Sequence, residues 1–174
     1  AVGLYRIEDF SAAMIQLRNA LQQNPEDLPA RILLGRILLR LDHVAAAITE
    51  FEKALSIGGD ENLILPSLGK AYLEYLQPEK VLTGIVPEGH EPEVEGELWI
   101  LHGTAHAMMG HRKQADEAFL KATVLLPTDP RPFLEMARGA LAKGQRQRAD
   151  SLIDQAIGLA PDDFDVWIYK AIIH

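Results

Sequence analysis

Apolar residues recur along this chain at the spacing of amphipathic helices, and the pattern returns after every 34 residues. In one repeat, a first run of helical spacing covers residues 32–41, and a second covers residues 44–55 after a polar break. The alternating pattern of a strand is not seen over comparable lengths. The chain is therefore predicted to be a series of helix pairs.

The repeat is clearest when equivalent positions are compared 34 residues apart. The segment LRNALQQNP at 17–25 is followed by FEKALSIGG at 51–59, FLKATVLLP at 119–127 and IDQAIGLAP at 153–161. One column of small residues contains Ala13, Ala47, Ala115 and Ala149, and a second contains Gly35, Gly69, Gly103, Ala137 and Ala171. A column of large residues contains Leu65, Trp99, Phe133 and Trp167, with Arg31 as the exception. Small side chains at fixed places let paired helices approach closely.

The second half of the third repeat departs from this pattern. Its segment VLTGIVPEGHEPEVEGE places Gly84 and Pro87 where a helix is expected. We expect a short helix from about Pro78, followed by an acidic loop with glutamates at 88, 91, 93, 95 and 97. Solvation and favourable charge near the start of the next helix explain these glutamates, and docking of a partner is the alternative.

The period and the motif W-x-x-L-G-x-x-Y, followed by Ala, an aromatic residue, Ala and Pro, resemble the tetratricopeptide repeat. Repeat two reads RILLGRIL and then AAITEFEKALSIGG, and repeat four reads WILHGTAH and then ADEAFLKATVLLP. The resemblance implies an all-α fold, a right-handed α-α superhelix or solenoid of about five helix-turn-helix repeats. The chain would be a single solenoid fragment of a longer array, with a half repeat 1–27, repeats 28–61, 62–95, 96–129 and 130–163, and a half repeat 164–174.

Composition narrows the class of function. The net charge of −8 argues against nonspecific binding to nucleic acid, which depends on clustered Lys and Arg. No apolar run approaches the roughly 20 residues of a membrane span, and the first residues lack the pattern of a signal peptide. The absence of cysteine excludes disulfides and thiolate metal sites. We expect no nucleic-acid partner and no membrane span, and a lipid tether would lie outside this sequence.

The sequence carries no recognisable catalytic motif. It has no G-x-S-x-G, no cysteine nucleophile and no glycine-rich phosphate loop, so we expect no enzymatic activity and no cofactor. His102 and His106 stand four residues apart, as metal ligands on a helix often do. However, the repeat places Leu and Tyr at these positions, and the Glu and third ligand of a catalytic zinc motif are missing. Packing is the favoured interpretation, with metal binding as the alternative.

The resemblance implies that ligands lie along a concave face lined by the first helix of each repeat. One column of this face reads Arg36, Lys70, Thr104 and Arg138, and Arg40, Met108 and Arg131 lie near it. These seven residues are the predicted binding site. The basic members favour an acidic protein or peptide ligand, or an anionic glycan, through bidentate arginine contacts. The alternative is a solvated face whose arginines pair with nearby glutamates.

Three segments resemble the repeat lipoprotein that accompanies PEP-CTERM and exosortase systems in Gram-negative bacteria. They are FSAAMIQLRNALQQNPEDLPARILLGRILL, EKVLTGIVPEG and ADSLIDQAIGLAPDDFDVWIYKA. The resemblance implies an interaction scaffold for exopolysaccharide assembly or surface sorting, in the periplasm and associated with the outer membrane. The alternatives are a cytoplasmic co-chaperone or regulatory adaptor, and the non-catalytic arm of a larger enzyme.

Overall fold

The computed structural model describes residues 2–173, and it describes side chains for residues 10–164 and 166–172. Within this part of the chain the secondary structure is entirely helical, so the predicted all-α class is confirmed. The helices are α1 (Val2–Gln23), α2 (Leu28–Arg40), α3 (Val44–Ser56), α4 (Glu61–Glu74), α5 (Pro78–Gly84), α6 (Pro92–Met108), α7 (Arg112–Leu125), α8 (Arg131–Leu141), α9 (Arg146–Leu159) and α10 (Phe164–Ile173). None of the described helices is long and apolar enough to cross a lipid bilayer.

Local chemistry explains where several helices begin and end. The carboxylate of Asp27 accepts a hydrogen bond of 2.9 Å from the Ala30 N–H, and Asp60 accepts one of 2.9 Å from Asn62. Both are N-caps, because they satisfy N–H groups that the first helical turn leaves open. Gly110, which follows α6, has φ +78°. An L side chain would be strained there, so glycine suits the turn into α7.

The helices form two compact units, Ala1–Gln77 and Pro78–His174. In the first unit, α2 packs against both α1 and α3, and α3 packs against α4. Phe51 of α3 is fully buried against Gly35 of α2, where an added Cβ would lie 2.7 Å from the aromatic ring. In the first unit, a glycine on the first helix of a pair thus leaves space for a large side chain from the second helix of that pair.

The second unit uses the same device. Helix α6 packs against α7, and α8 packs against α9. Phe119 of α7 is 1% exposed, and a Cβ added at Gly103 of α6 would lie 2.4 Å from its ring. Helices α6 and α10 both contact α8. These three helices, each the first of its repeat, therefore lie side by side.

The third repeat differs in part from the prediction. A short helix does begin at Pro78, and it ends at Gly84. The predicted acidic loop is wrong in its second half, because α6 begins at Pro92 and contains Glu93, Glu95 and Glu97. Proline suits the first helical turn, and glutamates there complement the positive end of the helix dipole. The repeat boundaries and the single continuous solenoid stay predictions.

Candidate functional site

A groove of about 500 Å³ runs along the second unit between α6, α8 and α10. Ile100 and Thr104 of α6 and Leu134 of α8 line it together with α10. The complete lining is Ile100, Thr104, Arg131, Leu134, Glu135, Ile168, Tyr169 and Ile172. The isoleucines of α10 are open to solvent, with Ile168 41% and Ile172 61% exposed. The groove therefore offers an apolar floor that a ligand can reach.

The charged groups of the groove are already paired. Arg131 donates to Asp129 at 2.6 Å and to Glu97 at 2.5 Å through Nη2, and Nη1 donates to Glu97 at 3.1 Å. Hydrogen bonds to Asp129 and then to Glu97 raise the pKa of the Arg131 guanidinium above its ordinary value. The positive charge of Arg131 is thus neutralised locally by two carboxylates.

Arg138 has a similar partner on its own helix. Its Nη1 donates to the carboxylate of Glu135 at 2.8 and 2.9 Å. The charge of Glu135 is the main reason that the pKa of Arg138 is raised. Since Glu135 also lines the groove, the two residues present a polar edge without strong net charge.

The seven predicted site residues fall in both units. Arg36, Arg40 and Lys70 belong to the first unit and are exposed. Arg36 donates to the Leu63 carbonyl at 3.2 Å, and Lys70 lies 4.0 Å from Glu74. The arrangement of these three residues with the other four as one groove stays a prediction.

In the second unit, Thr104 and Arg131 line the groove, whereas Arg138 lines a separate pocket of about 300 Å³ between α6, α7 and α8. The hydroxyl of Thr104 donates to the Ile100 carbonyl at 3.0 Å. Met108 is 43% exposed at the last turn of α6. The structure therefore brings two of these four residues together in the groove.

Sequence reasoning missed the apolar floor. Ile100, Leu134 and Ile168 are 34 residues apart and occupy one column of the repeat, four residues before the column that contains Thr104 and Arg138. Tyr169 and Ile172 were missed as well, although Ile172 belongs to the same column as Thr104 and Arg138. The period alone could have identified these residues.

His102 is buried in the second unit, and His106 is partly buried beside His111. His102 is 8% exposed, and its Nε2 donates to the Ile85 carbonyl at 2.8 Å, with the ring edge against Trp99. Burial lowers the pKa of His102 below the ordinary 6.5. His106 has a buried Nδ1 without a hydrogen-bond partner among the described residues, and its ring centroid is 5.8 Å from that of His111. Among residues 10–164 and 166–172, whose side chains the structure describes, no three His, Asp or Glu side chains form a group suited to a metal ion.

Comparison with known proteins identifies the repeat. Residues 7–64 match the family model described as tetratricopeptide repeat. The fold resembles that of PilW, a widely conserved type IV pilus biogenesis factor, with a TM-score of 0.78 and 22% identity over 99% of this chain and 80% of that one. No curated protein sequence matches the chain.

Two further solved structures share the fold. TTC0263, a thermophilic TPR protein of Thermus thermophilus, has a TM-score of 0.73 and 22% identity over 99% of this chain and 94% of that one. YrrB, a TPR protein with an unusual peptide-binding site, has a TM-score of 0.71 and 22% identity over 97% and 87% of the two chains. Residues 7–64 thus match the tetratricopeptide repeat family, and the fold over most of the chain is the one that TPR proteins share.

Proposed function

We propose that this chain is a non-catalytic scaffold that binds a peptide segment of a partner protein in the groove of the second unit. The observation that carries the proposal is the apolar floor of this groove, with Ile168 and Ile172 open to solvent. Concave sites that combine apolar walls with a few placed polar groups are the usual form of a ligand site. The peptide-binding site named for YrrB supports the same use of the fold.

The ion pairs determine which part of the ligand contributes most to affinity. A carboxylate of the ligand would have to compete with Glu97 and Asp129 for Arg131, and with Glu135 for Arg138. We therefore propose that apolar side chains of the peptide provide most of its affinity for the groove. Polar contacts with Thr104, Arg131 and Glu135 would set the orientation of the bound peptide. The acidic peptide and the anionic glycan are weaker candidates for this groove than the sequence suggested.

Pathway and compartment belong to the proposal as well. Following the resemblance to the repeat lipoprotein of PEP-CTERM systems, we place the scaffold in exopolysaccharide assembly or surface sorting, in the periplasm at the outer membrane. Fractionation of the source cells with an antibody against the chain tests this placement. Recovery of the full-length protein in the cytoplasm would contradict it.

A library of displayed peptides tests the groove directly. We expect the parent chain to select peptides with apolar residues, and we expect an Ile168→Glu, Ile172→Glu variant to lose their binding, because two charges would be placed on the floor. Leu120→Glu is the matched control, since Leu120 is 54% exposed on α7 and does not line the groove. It should bind as the parent does.

The outcome is read by titration calorimetry of the selected peptides, with circular dichroism to check that each variant is folded. Failure of the parent to select any peptide would contradict the proposal. Equal affinity of the parent and the Ile168→Glu, Ile172→Glu variant would place the site elsewhere.

A further inference from the structure

One end of the second unit carries a concentration of positive charge on a protein whose net charge is −8. The segments 106–113 and 138–148 form the turns that join α6 to α7 and α8 to α9, together with the adjoining helix ends. They contain six Lys and Arg and no Asp or Glu, namely Arg112, Lys113, Arg138, Lys143, Arg146 and Arg148. We call these six residues the basic edge.

The two turns form one surface. Asp116 of α7 lies 3.6 Å from the ammonium of Lys143 and 3.1 Å from the guanidinium of Arg148. Residues of the α8–α9 turn and the start of α9 therefore contact α7, the helix that follows the α6–α7 turn. Lys113 pairs with Glu117 at 3.8 Å, and Arg138 pairs with Glu135. Three carboxylates thus pair with four of the six cations. Among the described residues, Arg112 and Arg146 have no ion pair.

The basic edge places positive charge at the N-terminal ends of two helices, where negative charge is favoured. Helix α7 begins at Arg112 and α9 at Arg146, and neither has an acidic residue in its first turn or a side-chain cap. The positive end of a helix dipole favours acidic residues, typically by about 0.3–1 kcal/mol each. Residues that break a local rule without a compensating contact are expected where a protein has a function to serve.

A complementary surface lies at the other end of α6. Glu91, Glu93 and Glu95 stand at the start of α6, and no ion pair holds them within the part of the chain that the structure describes. With Glu88 and Glu97 they place five glutamates in ten residues, which we call the acidic edge. Helix α6 has 17 residues, so the two edges are about 25 Å apart at 1.5 Å per residue. At physiological salt this distance exceeds the Debye length of about 8 Å, and each edge acts as a separate surface.

We propose that the basic edge binds the acidic edge of a second copy of this chain, head to tail. Four of the six cations are arginines, which bind carboxylates with two parallel hydrogen bonds. An anionic bilayer fits less well, because Asp116, Glu117 and Glu135 also face this surface and would be repelled by it. The contact joins two different surfaces, so it leaves one edge of each copy open for further addition.

Sedimentation velocity of the 174-residue chain at high protein concentration tests the proposal. At about 0.01 M salt, where the Debye length is about 30 Å, we expect association, and at about 1 M salt, where it is about 3 Å, we expect a monomer. Two variants should each be monomeric at low salt. One reverses the basic edge (Arg112→Glu, Lys113→Glu, Arg146→Glu), and the other reverses the acidic edge (Glu91→Lys, Glu93→Lys).

Mixing the two variants gives the decisive result. Each retains one native edge, so together they can form a single native contact, and we expect a 1:1 complex of the two. Circular dichroism checks the fold of each variant, whose substituted side chains are exposed. The proposal is overturned if the parent stays monomeric at low salt, if the basic-edge variant associates as the parent does, or if the mixture stays monomeric while the parent associates. Binding to anionic phospholipid vesicles without self-association would also overturn it.

Discussion

In two helix pairs, a glycine on the first helix lies in close contact with a phenylalanine on the second helix of the same pair. A Cβ at Gly103 would lie 2.4 Å from the ring of Phe119, and one at Gly35 would lie 2.7 Å from the ring of Phe51. Both phenylalanines are 1% exposed or less. Their rings therefore have little room to move away from an added methyl group.

We expect Gly103→Ala to lower the free energy of unfolding by about 1–3 kcal/mol, because overpacking forces a buried ring from its position. Gly139→Ala is the matched control, since its Cβ would meet nothing closer than Asp116 Oδ1 at 3.8 Å. Alanine at that helical position should stabilise the chain by about 0.5–1 kcal/mol. Urea denaturation measures both, and equal effects of the two substitutions would refute the explanation.

His102 predicts a dependence of stability on pH. Burial lowers its pKa below 6.5 in the folded chain, so the unfolded chain binds more protons as the pH falls below 6.5. The stabilisation by neutral His102 is full above pH 6.5 and is lost toward the folded-state pKa. His106, whose pKa burial also lowers, acts in the same direction.

Leu is the residue at positions 34 and 68 of the same column. Replacing His102 with Leu should reduce the slope of the unfolding free energy against pH between about pH 7.5 and about pH 5.5. His43→Gln, at an exposed position, is the control and should keep the slope of the parent. Denaturation at each pH supplies the measurement. A His102→Leu variant with the full slope would exclude His102 as the source.

At the scale of the element, α5 is the shortest helix within the described residues. It has seven residues, and only Pro78 and Val81 are buried within it. The chain after Gly84 is held by the bond from His102 to the Ile85 carbonyl and by the burial of Ile85 itself, which is 2% exposed. A short helix with few buried side chains opens at low cost in free energy.

We expect amide hydrogens of residues 79–84 to exchange faster than those of α9, which is twice as long and buries Ala149, Ile153 and Ala156. Hydrogen exchange followed by mass spectrometry resolves the two segments. Slower exchange in α5 than in α9 would contradict the expected order.

The sequence predicted the elements better than it predicted their ends. The caps at Asp27 and Asp60 and the turn at Gly110 each depend on one residue and its neighbours, so features of this kind are predictable from the sequence. The period of the repeat does not predict the start of α6 at Pro92, although the proline and the glutamates after it favour a helix there. The groove was found only in part, because charge was sought where apolar positions form the floor. The pairing of Arg131 with Glu97 depends on tertiary contact, which the sequence does not display.

At the scale of the whole molecule, the chain divides at Gln77 into two units with their own internal contacts. Both tryptophans, Trp99 and Trp167, lie in the second unit. Helices are present in both units, so far-ultraviolet circular dichroism reports on the whole chain while tryptophan fluorescence reports on one unit.

We expect the two signals to give different midpoints in urea, because parts of a repeat array that have their own internal contacts can unfold separately. The difference should disappear in a control that monitors circular dichroism and fluorescence of residues 78–174 alone. Coincident transitions in the full chain would show that the two units unfold together.

The contact between Gly103 and Phe119 also limits how such a chain can evolve by recombination. Glycine stands opposite phenylalanine in two helix pairs, whereas Ala137 shares its core cluster with the smaller Ile153. Exchange of a complete helix pair would transfer the small residue of the first helix together with the large residue of the second, so their packing would be kept. A crossover between the two helices would bring alanine against phenylalanine or glycine against isoleucine, giving a clash in one product and a void in the other. The helix pair is thus the smallest segment that can be inherited intact.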